Sequence, residues 1–257
     1  MTLTSKHTYW IYAVIVVLVL AIYGNTINHE FVMDDSLYIV NNKVVQNHQW
    51  ENIFTKSSTW GNDGVNDGAY RPIVLASFVL DHVFFGDKPS GYHVIQIVLY
   101  AVLCVLIFVF LRKLLKSENL WIPTIITLLF VAHPIHTEVV ANIKSRDEIL
   151  GMLFLIISGI AFLNYIKAST IDLKNKKSVI EDDSKQSISW LFLSIMAYFL
   201  ALLSKETYVA LLLLFPAFSC FSLFHKLEYK RFRFFKKSNV VYFAATCLFS
   251  FKNTGLR

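Results

Sequence analysis

Cysteine is scarce. The 257 residues hold three, Cys104, Cys220 and Cys247, and each falls inside an apolar run. An odd set buried in such runs argues against a disulfide framework or a zinc site. The apolar spans also lack Asp, Glu, Lys and Arg in their middles. Intramembrane charges usually mark transporter and pump pathways. Their absence shifts the expectation from transport to chemistry at a surface. A cleavage signal is missing too. The first run is followed by Gly24-Asn25-Thr26-Ile27, which offers no A-x-A-like site, so it reads as an uncleaved anchor.

What is present is apolar. Hydrophobic residues make up 55% of the chain and the mean hydropathy is +0.51, whereas a soluble domain is about 45–50% apolar. The excess is concentrated in runs at 9–27, 91–111, 120–132, 149–166, 188–203 and 207–224. A last run, 239–251, has 13 residues, fewer than the roughly 17–25 that a span needs. The net charge is +6, but the basic residues lie between the runs. That placement reports membrane orientation and not nucleic-acid binding.

Orientation follows from counting. With the N-terminus inside, the inside segments carry 15 Lys and Arg and the outside segments carry 7, although the longest loop, 29–90, is outside. The positive-inside rule supports this topology. The basic segment 226–237 then sits on anionic cytoplasmic lipid heads. Asp34-Asp35, Arg71, the cluster 133–148 and Lys205-Glu206 all fall on the extracytoplasmic face. Within the long loop, residues 62–68 are turn chemistry. Arg71-Pro72 opens an apolar stretch that ends at Phe85 and is closed by Gly86-Asp87-Lys88-Pro89. Pro suits a first helical position, and the stretch is too short to span, so an interfacial helix is expected.

Four polar clusters carry candidate chemistry. Asp34 and Asp35 are a general base or a metal ligand at the membrane surface. Alternatively, one of them caps a short helix over Ser36–Val40. His133-Pro134-Ile135-His136-Thr137-Glu138 could restart a helix on which Glu138, Asn142 and Ser145 or Arg146 share a face. Its His133, His136 and Glu138 are conceivable metal ligands, at a spacing that matches no standard zinc motif. Ser145-Arg146-Asp147-Glu148 reads as a capping box for the span that follows, which leaves Arg146 available for a phosphate. Ser204-Lys205-Glu206 is a snorkelling pair or a cation for a lipid phosphate.

These stretches resemble the GT-C superfamily of lipid-phosphate-sugar glycosyltransferases. Within it, the chain is similar to the transmembrane and tetratricopeptide-repeat family of O-mannosyltransferases. The resemblance rests on Phe31-Val32-Met33-Asp34-Asp35, on Tyr70-Arg71-Pro72 with Gly91-Tyr92-His93, on Ala132-His133-Pro134-Ile135-His136-Thr137-Glu138 through Ser145-Arg146-Asp147-Glu148-Ile149-Leu150, and on Leu203-Ser204-Lys205-Glu206. The four occur in family order and cover most of residues 25–215. The family's membrane core continues further, so 1–257 is expected to be a single membrane domain, the N-terminal part of a GT-C-like core, truncated at its C-terminus.

The expected fold is all-α: a polytopic membrane bundle of about six to seven spans, with interfacial helices in a long extracytoplasmic first loop. The resemblance implies a polyprenyl-phosphate sugar donor such as dolichyl- or undecaprenyl-phosphate mannose. The acceptor is then a hydroxyl, including Ser or Thr of a polypeptide. The location is a bacterial inner membrane or the endoplasmic reticulum. Asp34 or Asp35 would take the acceptor's proton in an inverting displacement. A phosphate leaves as a stable anion, so no protonating acid is needed, unlike glycoside hydrolysis. Positive charge or a divalent metal must instead hold the phosphate. Arg146 and Lys205 are the first candidates and Arg71 the next. His133, His136, Glu138 and Glu206 complete the candidate substrate-binding set, with Asp35 and Glu138 as candidate metal ligands. A transporter, a metal-dependent hydrolase and a non-catalytic fragment are the competing classes.

Overall fold

The structure is a computed structural model that describes residues 8–32, 34–60, 68–115, 119–174 and 182–210. Met1–Tyr208 form one compact unit. Among the described residues there is no strand. Lipid cannot satisfy backbone N–H and C=O groups, so apolar runs of this length close their hydrogen bonds internally as helices.

Helix α1, Thr8–Tyr23, continues through a 3-10 turn at Gly24–Asn28, and together they make a 21-residue apolar segment. Ile11, Ile15, Val19 and Tyr23 form its buried stripe at every fourth position, while Trp10, Val14, Val17 and Leu20 face outward. That is the pattern of a helix with one protein face and one lipid face. The stripe packs on α5, Pro89–Leu115, through edge-to-face pairs of Tyr12 with Phe108 and Tyr23 with Tyr100. Arg112 at the far end of α5 donates to Thr8 at the start of α1 (3.4 Å). The two helices therefore run antiparallel.

Helix α8, Arg146–Lys174, and helix α9, Asp182–Ser204, form a second antiparallel pair. Their seam is built from small residues. The Ser158 hydroxyl donates to the Ser194 carbonyl (2.8 Å), and the Ser194 hydroxyl donates back to the Ser158 carbonyl (3.0 Å). Ala161, Ala197 and Ala201 are buried beside them. Small side chains let membrane helices approach closely and satisfy each other's polar groups. Helix α8 runs on to Lys174 and α9 begins at Asp182, so helical backbone covers most of the stretch 167–187 between the fourth and fifth apolar runs.

Among the described residues, four segments are long and apolar enough to cross a membrane: Thr8–Asn28, Pro89–Leu115, Ile143–Ser169 and Ser187–Ser204. The expected third span is the exception. It forms α6, Trp121–Val131, of 11 residues, about 16 Å at 1.5 Å per residue. Its end is pinned where the Tyr23 hydroxyl donates to the Val131 carbonyl (3.1 Å). The sixth run lies almost wholly outside the described residues, and the seventh entirely so.

The first loop carries two short helices, α2 (Lys43–Gln46) and α3 (Trp50–Ile53), and the expected interfacial helix α4, Pro72–Phe85. Pro72 starts α4 and Gly86, at φ 59°, ends it, a conformation that costs glycine little. Val74, Leu75, Phe78 and Val79 are buried beneath α4, while Leu80, Val83 and Phe84 face out.

One sequence expectation fails between α6 and α8. The helix after Pro134 is only α7, His136–Ala141, and Asn142 is extended at ψ 113°. A 3-10 turn, Ile143–Ser145, follows. The single face expected for Glu138, Asn142 and Ser145 or Arg146 therefore does not form. Asn142 breaks the helix, and Gln96 of α5 catches the broken end by donating to the carbonyls of Val139 (2.9 Å) and Asn142 (3.2 Å).

Candidate active site

The acidic pair divides by burial. Asp35 is fully buried in a reciprocal turn. Its N–H donates to the Val32 carbonyl (2.9 Å), and its carboxylate accepts from the Val32 N–H (3.0 Å). The other carboxylate oxygen accepts from the backbone N–H of Lys144, 109 residues away, at 2.8 Å. Burial pushes its pKa up, against the pull of these two hydrogen bonds. Asp35 does not cap the turn Ser36–Val40 with its side chain. It clips the acidic loop to the start of α8 instead. Asp34 is 52% exposed and faces the Lys144 ammonium at 3.6 Å. That ammonium also lies over the Tyr38 ring, 5.7 Å from its centroid.

The five residues from Lys144 to Glu148 are the hub of the site. Arg146 turns inward and is fully buried. It donates to the Asp81 carboxylate (2.5 Å), Gln96 Oε1 (3.0 Å), Ser77 Oγ (3.3 Å) and the Tyr92 carbonyl (3.2 Å). Its guanidinium also lies over the Phe78 ring at 4.8 Å. The sequence points Arg146 at a phosphate. The structure removes it from solvent and commits it to α4 and α5. Burial raises the Asp81 pKa, opposed by Arg146.

Asp147, next along the chain, turns the other way. One carboxylate oxygen accepts from Arg71 (2.6 Å) and from Lys205 (3.3 Å). Asp147 is 2% exposed. Glu148 accepts from Lys205 at 2.5 Å. Its carboxylate, expected to close a capping box with Ser145, is thus engaged by α9. Arg71 reaches Glu206 with a two-pronged grip, Nε at 3.2 Å and Nη2 at 2.9 Å. That grip lowers the Glu206 pKa. For Lys205, burial alone would lower the pKa, but Glu148 and Asp147 together leave it raised. Arg71, Lys205 and Glu206, three of the sequence candidates, therefore meet in one cluster around Asp147, and Lys144, three residues earlier, holds Asp34 and Asp35.

Gly151, one turn into α8, makes room for this arrangement. A Cβ there would run into the Tyr208 ring, whose hydroxyl donates to the Glu148 carbonyl (3.2 Å). Gly151→Ala should push Tyr208 off α8 and cost about 1–3 kcal/mol, read as a lower unfolding midpoint in detergent. An unchanged midpoint would show that Tyr208 can move without loss.

The histidine cluster sits on other neighbours. His136 Nδ1 lies 2.7 Å from the Phe130 carbonyl and 3.1 Å from the Tyr100 hydroxyl. A carbonyl only accepts, so Nδ1 carries the proton, and burial lowers the pKa toward the neutral ring. His133 Nδ1 accepts from the Ile135 N–H (3.2 Å). Glu138 is exposed in the first turn of α7. Among the described residues, no three His, Cys, Asp or Glu side chains come together as a metal ion's ligands would. His133, His136 and Glu138 therefore do not form a three-donor site, and both carboxylate oxygens of Asp35 already accept backbone N–H groups.

Lys144, Asp147, Asp81 and Gln96 were not singled out by their spacing. Asp81 left a signal, a lone carboxylate inside an apolar 14-residue helix, which must be paired if buried.

No family model and no solved structure matches the chain. Curated proteins do. The chain is 29% identical over 243 residues to protein O-mannosyl-transferase TMTC2 of Homo sapiens, covering 92% of this chain and 27% of that protein. It is 32% identical over 213 residues to human TMTC1, covering 79% and 23% respectively. It is 31% identical over 202 residues to Tmtc1 of Drosophila melanogaster, covering 77% and 21%. The chain is a relative of the TMTC protein O-mannosyl-transferases. It spans about a quarter of the length of these relatives.

Proposed function

We propose that this chain is the donor-binding and proton-accepting part of a membrane O-mannosyltransferase that uses a polyprenyl-phosphate sugar. One observation carries this. A half-exposed aspartate, Asp34, pairs with Lys144, three residues before the buried carboxylate Asp147 that holds two cations, Arg71 and Lys205, together. Acyl or glycosyl transfer from an anionic leaving group needs that pairing: a base for the acceptor and fixed positive charge for the departing group. The relatives named above supply the sugar and the class of acceptor.

In the proposed reaction, the acceptor hydroxyl attacks the anomeric carbon and gives its proton to Asp34. The bond from the anomeric carbon to the phosphate oxygen breaks, and the electron pair leaves on the phosphate. Arg71 and Lys205 stabilise that charge. The displacement inverts the anomeric centre. Lys144 holds Asp34 in place. The surplus of basic residues on the opposite side supports an extracytoplasmic position for this face.

The test is transfer of labelled mannose to a Ser/Thr-containing peptide by proteoliposomes containing the chain. Polyprenyl-phosphate mannose and a nucleotide-linked mannose are offered separately as donors. Labelling from the lipid donor is expected. Labelling from the nucleotide sugar alone would overturn the proposed donor.

A further inference from the structure

The three carboxylates around Arg71 and Lys205 are not equivalent. We infer that Glu206 and Glu148 are exchangeable stand-ins for the donor's phosphate group, while Asp147 is the fixed anchor of both cations. This rests on the lipid-phosphate donor proposed above and adds how the empty site keeps its cations in register.

Each cation has two kinds of partner. The shared one, Asp147, is 2% exposed and lies in the first turn of α8. Leaving it uncompensated would strand a buried charge. The second partners are exposed. Glu206 is 57% exposed on Arg71, and Glu148 is 43% exposed on Lys205. Their carboxylates already face water, so these pairs can be given up at less cost than the contacts of the buried Asp147.

Geometry favours exchange at Arg71. Its Nε and Nη2 hold Glu206 in a parallel fork. A phosphate presents two oxygens to the same fork, and arginine takes either anion in this way. Its remaining contact, Nη1 to Asp147 at 2.6 Å, need not change. At Lys205, the ammonium has three donors. Asp147 and Glu148 use two of them, and turning the ammonium from Glu148 toward a phosphate leaves the Asp147 contact in place. Glu206 opens a short 3-10 turn, Glu206–Ala210, directly after Lys205, and its exposed side chain can swing into solvent without disturbing α9. The carboxylates thus occupy the phosphate position without the donor and yield it when the donor arrives.

The consequence runs against intuition: neutralising an acidic residue in the site should tighten binding. Binding is measured with the full 257-residue chain in lipid nanodiscs. The probes are a polyprenyl monophosphate, the matching polyprenol and inorganic phosphate. Glu206→Gln is expected to bind the polyprenyl monophosphate about two- to fivefold more tightly than wild type, with polyprenol binding unchanged. Asp147→Asn is expected to weaken it. The same tightening with inorganic phosphate assigns the exchange to the phosphate group itself; tightening confined to the lipid assigns it to the headgroup within its chain-binding site. Equal or weaker binding by Glu206→Gln, while wild type still prefers the phosphate to the alcohol, overturns the exchange alone. A wild-type chain that binds monophosphate no better than polyprenol overturns the lipid-phosphate donor as well.

Discussion

Asp81→Ala is expected to destabilise the chain by about 3–5 kcal/mol, because it strands a fully buried guanidinium. Arg146 sits at 0% exposure with Asp81 as its anionic partner at 2.5 Å. Arginine cannot shed its proton to escape the penalty. Gln96, Ser77 and the Tyr92 carbonyl would still satisfy its N–H groups but not its charge. The reverse substitution should cost less. In Arg146→Met, the side chain keeps most of its volume against Phe78, and Asp81 can neutralise itself by binding a proton. Replacing both with apolar residues, Asp81→Leu with Arg146→Met, should recover stability to near wild type or above it. Equilibrium unfolding in detergent, followed by circular dichroism, ranks the three. A single Asp81→Ala with an unchanged midpoint would mean that the pair carries no stability.

A pH arm sharpens the test. Burial raises the Asp81 pKa in the folded chain even with Arg146 present. In Arg146→Met the cation that opposes the shift is gone. The folded state then binds the Asp81 proton more tightly than the unfolded state does. That contribution to stability is present in full below the unfolded pKa and is lost as pH rises through the raised folded value. Arg146→Met should therefore gain stability relative to wild type as the medium is acidified.

Asp34→Asn is expected to reduce transfer by about 10²–10⁴-fold, the usual worth of a positioned general base. Donor KM should change little, because Arg71 and Lys205 are untouched. Geometry separates the two aspartates. A base needs a lone pair facing the incoming hydroxyl, and Asp34 is half exposed beside Lys144. Asp35 spends one carboxylate oxygen on each of two backbone N–H groups. Asp35→Asn should act differently. An amide offers one accepting oxygen, so its NH₂ must face either Val32 N–H or Lys144 N–H. That clash costs about 1–3 kcal/mol and loosens Lys144 from Asp34. The expected signature is lower thermal stability together with a partial loss of activity. If Asp34→Asn kept near-full activity while Asp35→Asn was inactive and stably folded, the roles would have to be exchanged.

Much of this molecule can be read along the chain. Hydropathy and length suffice for the runs that become α1, α5, α8 and α9, because lipid leaves a helix as the only way to satisfy the backbone. Pro72 and Gly86 mark the ends of α4 by local stereochemistry alone. Counting basic residues gathers Asp34, Arg71 and Lys205 on one side, and in the structure Arg71 and Lys205 share Asp147. The sequence reading went astray where periodicity was extended through a break. Nothing about Asn142 in isolation stops a helix, and only its place over Gln96 does so.

The sequence by itself determined which segments are helical, where the polar groups collect and which residue types are available for chemistry. These are consequences of local hydropathy, helix-end chemistry and charge distribution. Only the tertiary structure decided what each charge does. Arg146 and Asp147 are neighbours on one helix turn, so no local pattern says that one is buried against Asp81, 65 residues away, while the other clamps Arg71, 76 residues away. Adjacent helical side chains diverge by about 100°, and which of them meets a partner depends on how α4 and α9 pack against α8. The same holds for Asp34 and Asp35: burial, set by the segment that leads into α8, leaves one aspartate half exposed and makes the other part of the scaffold.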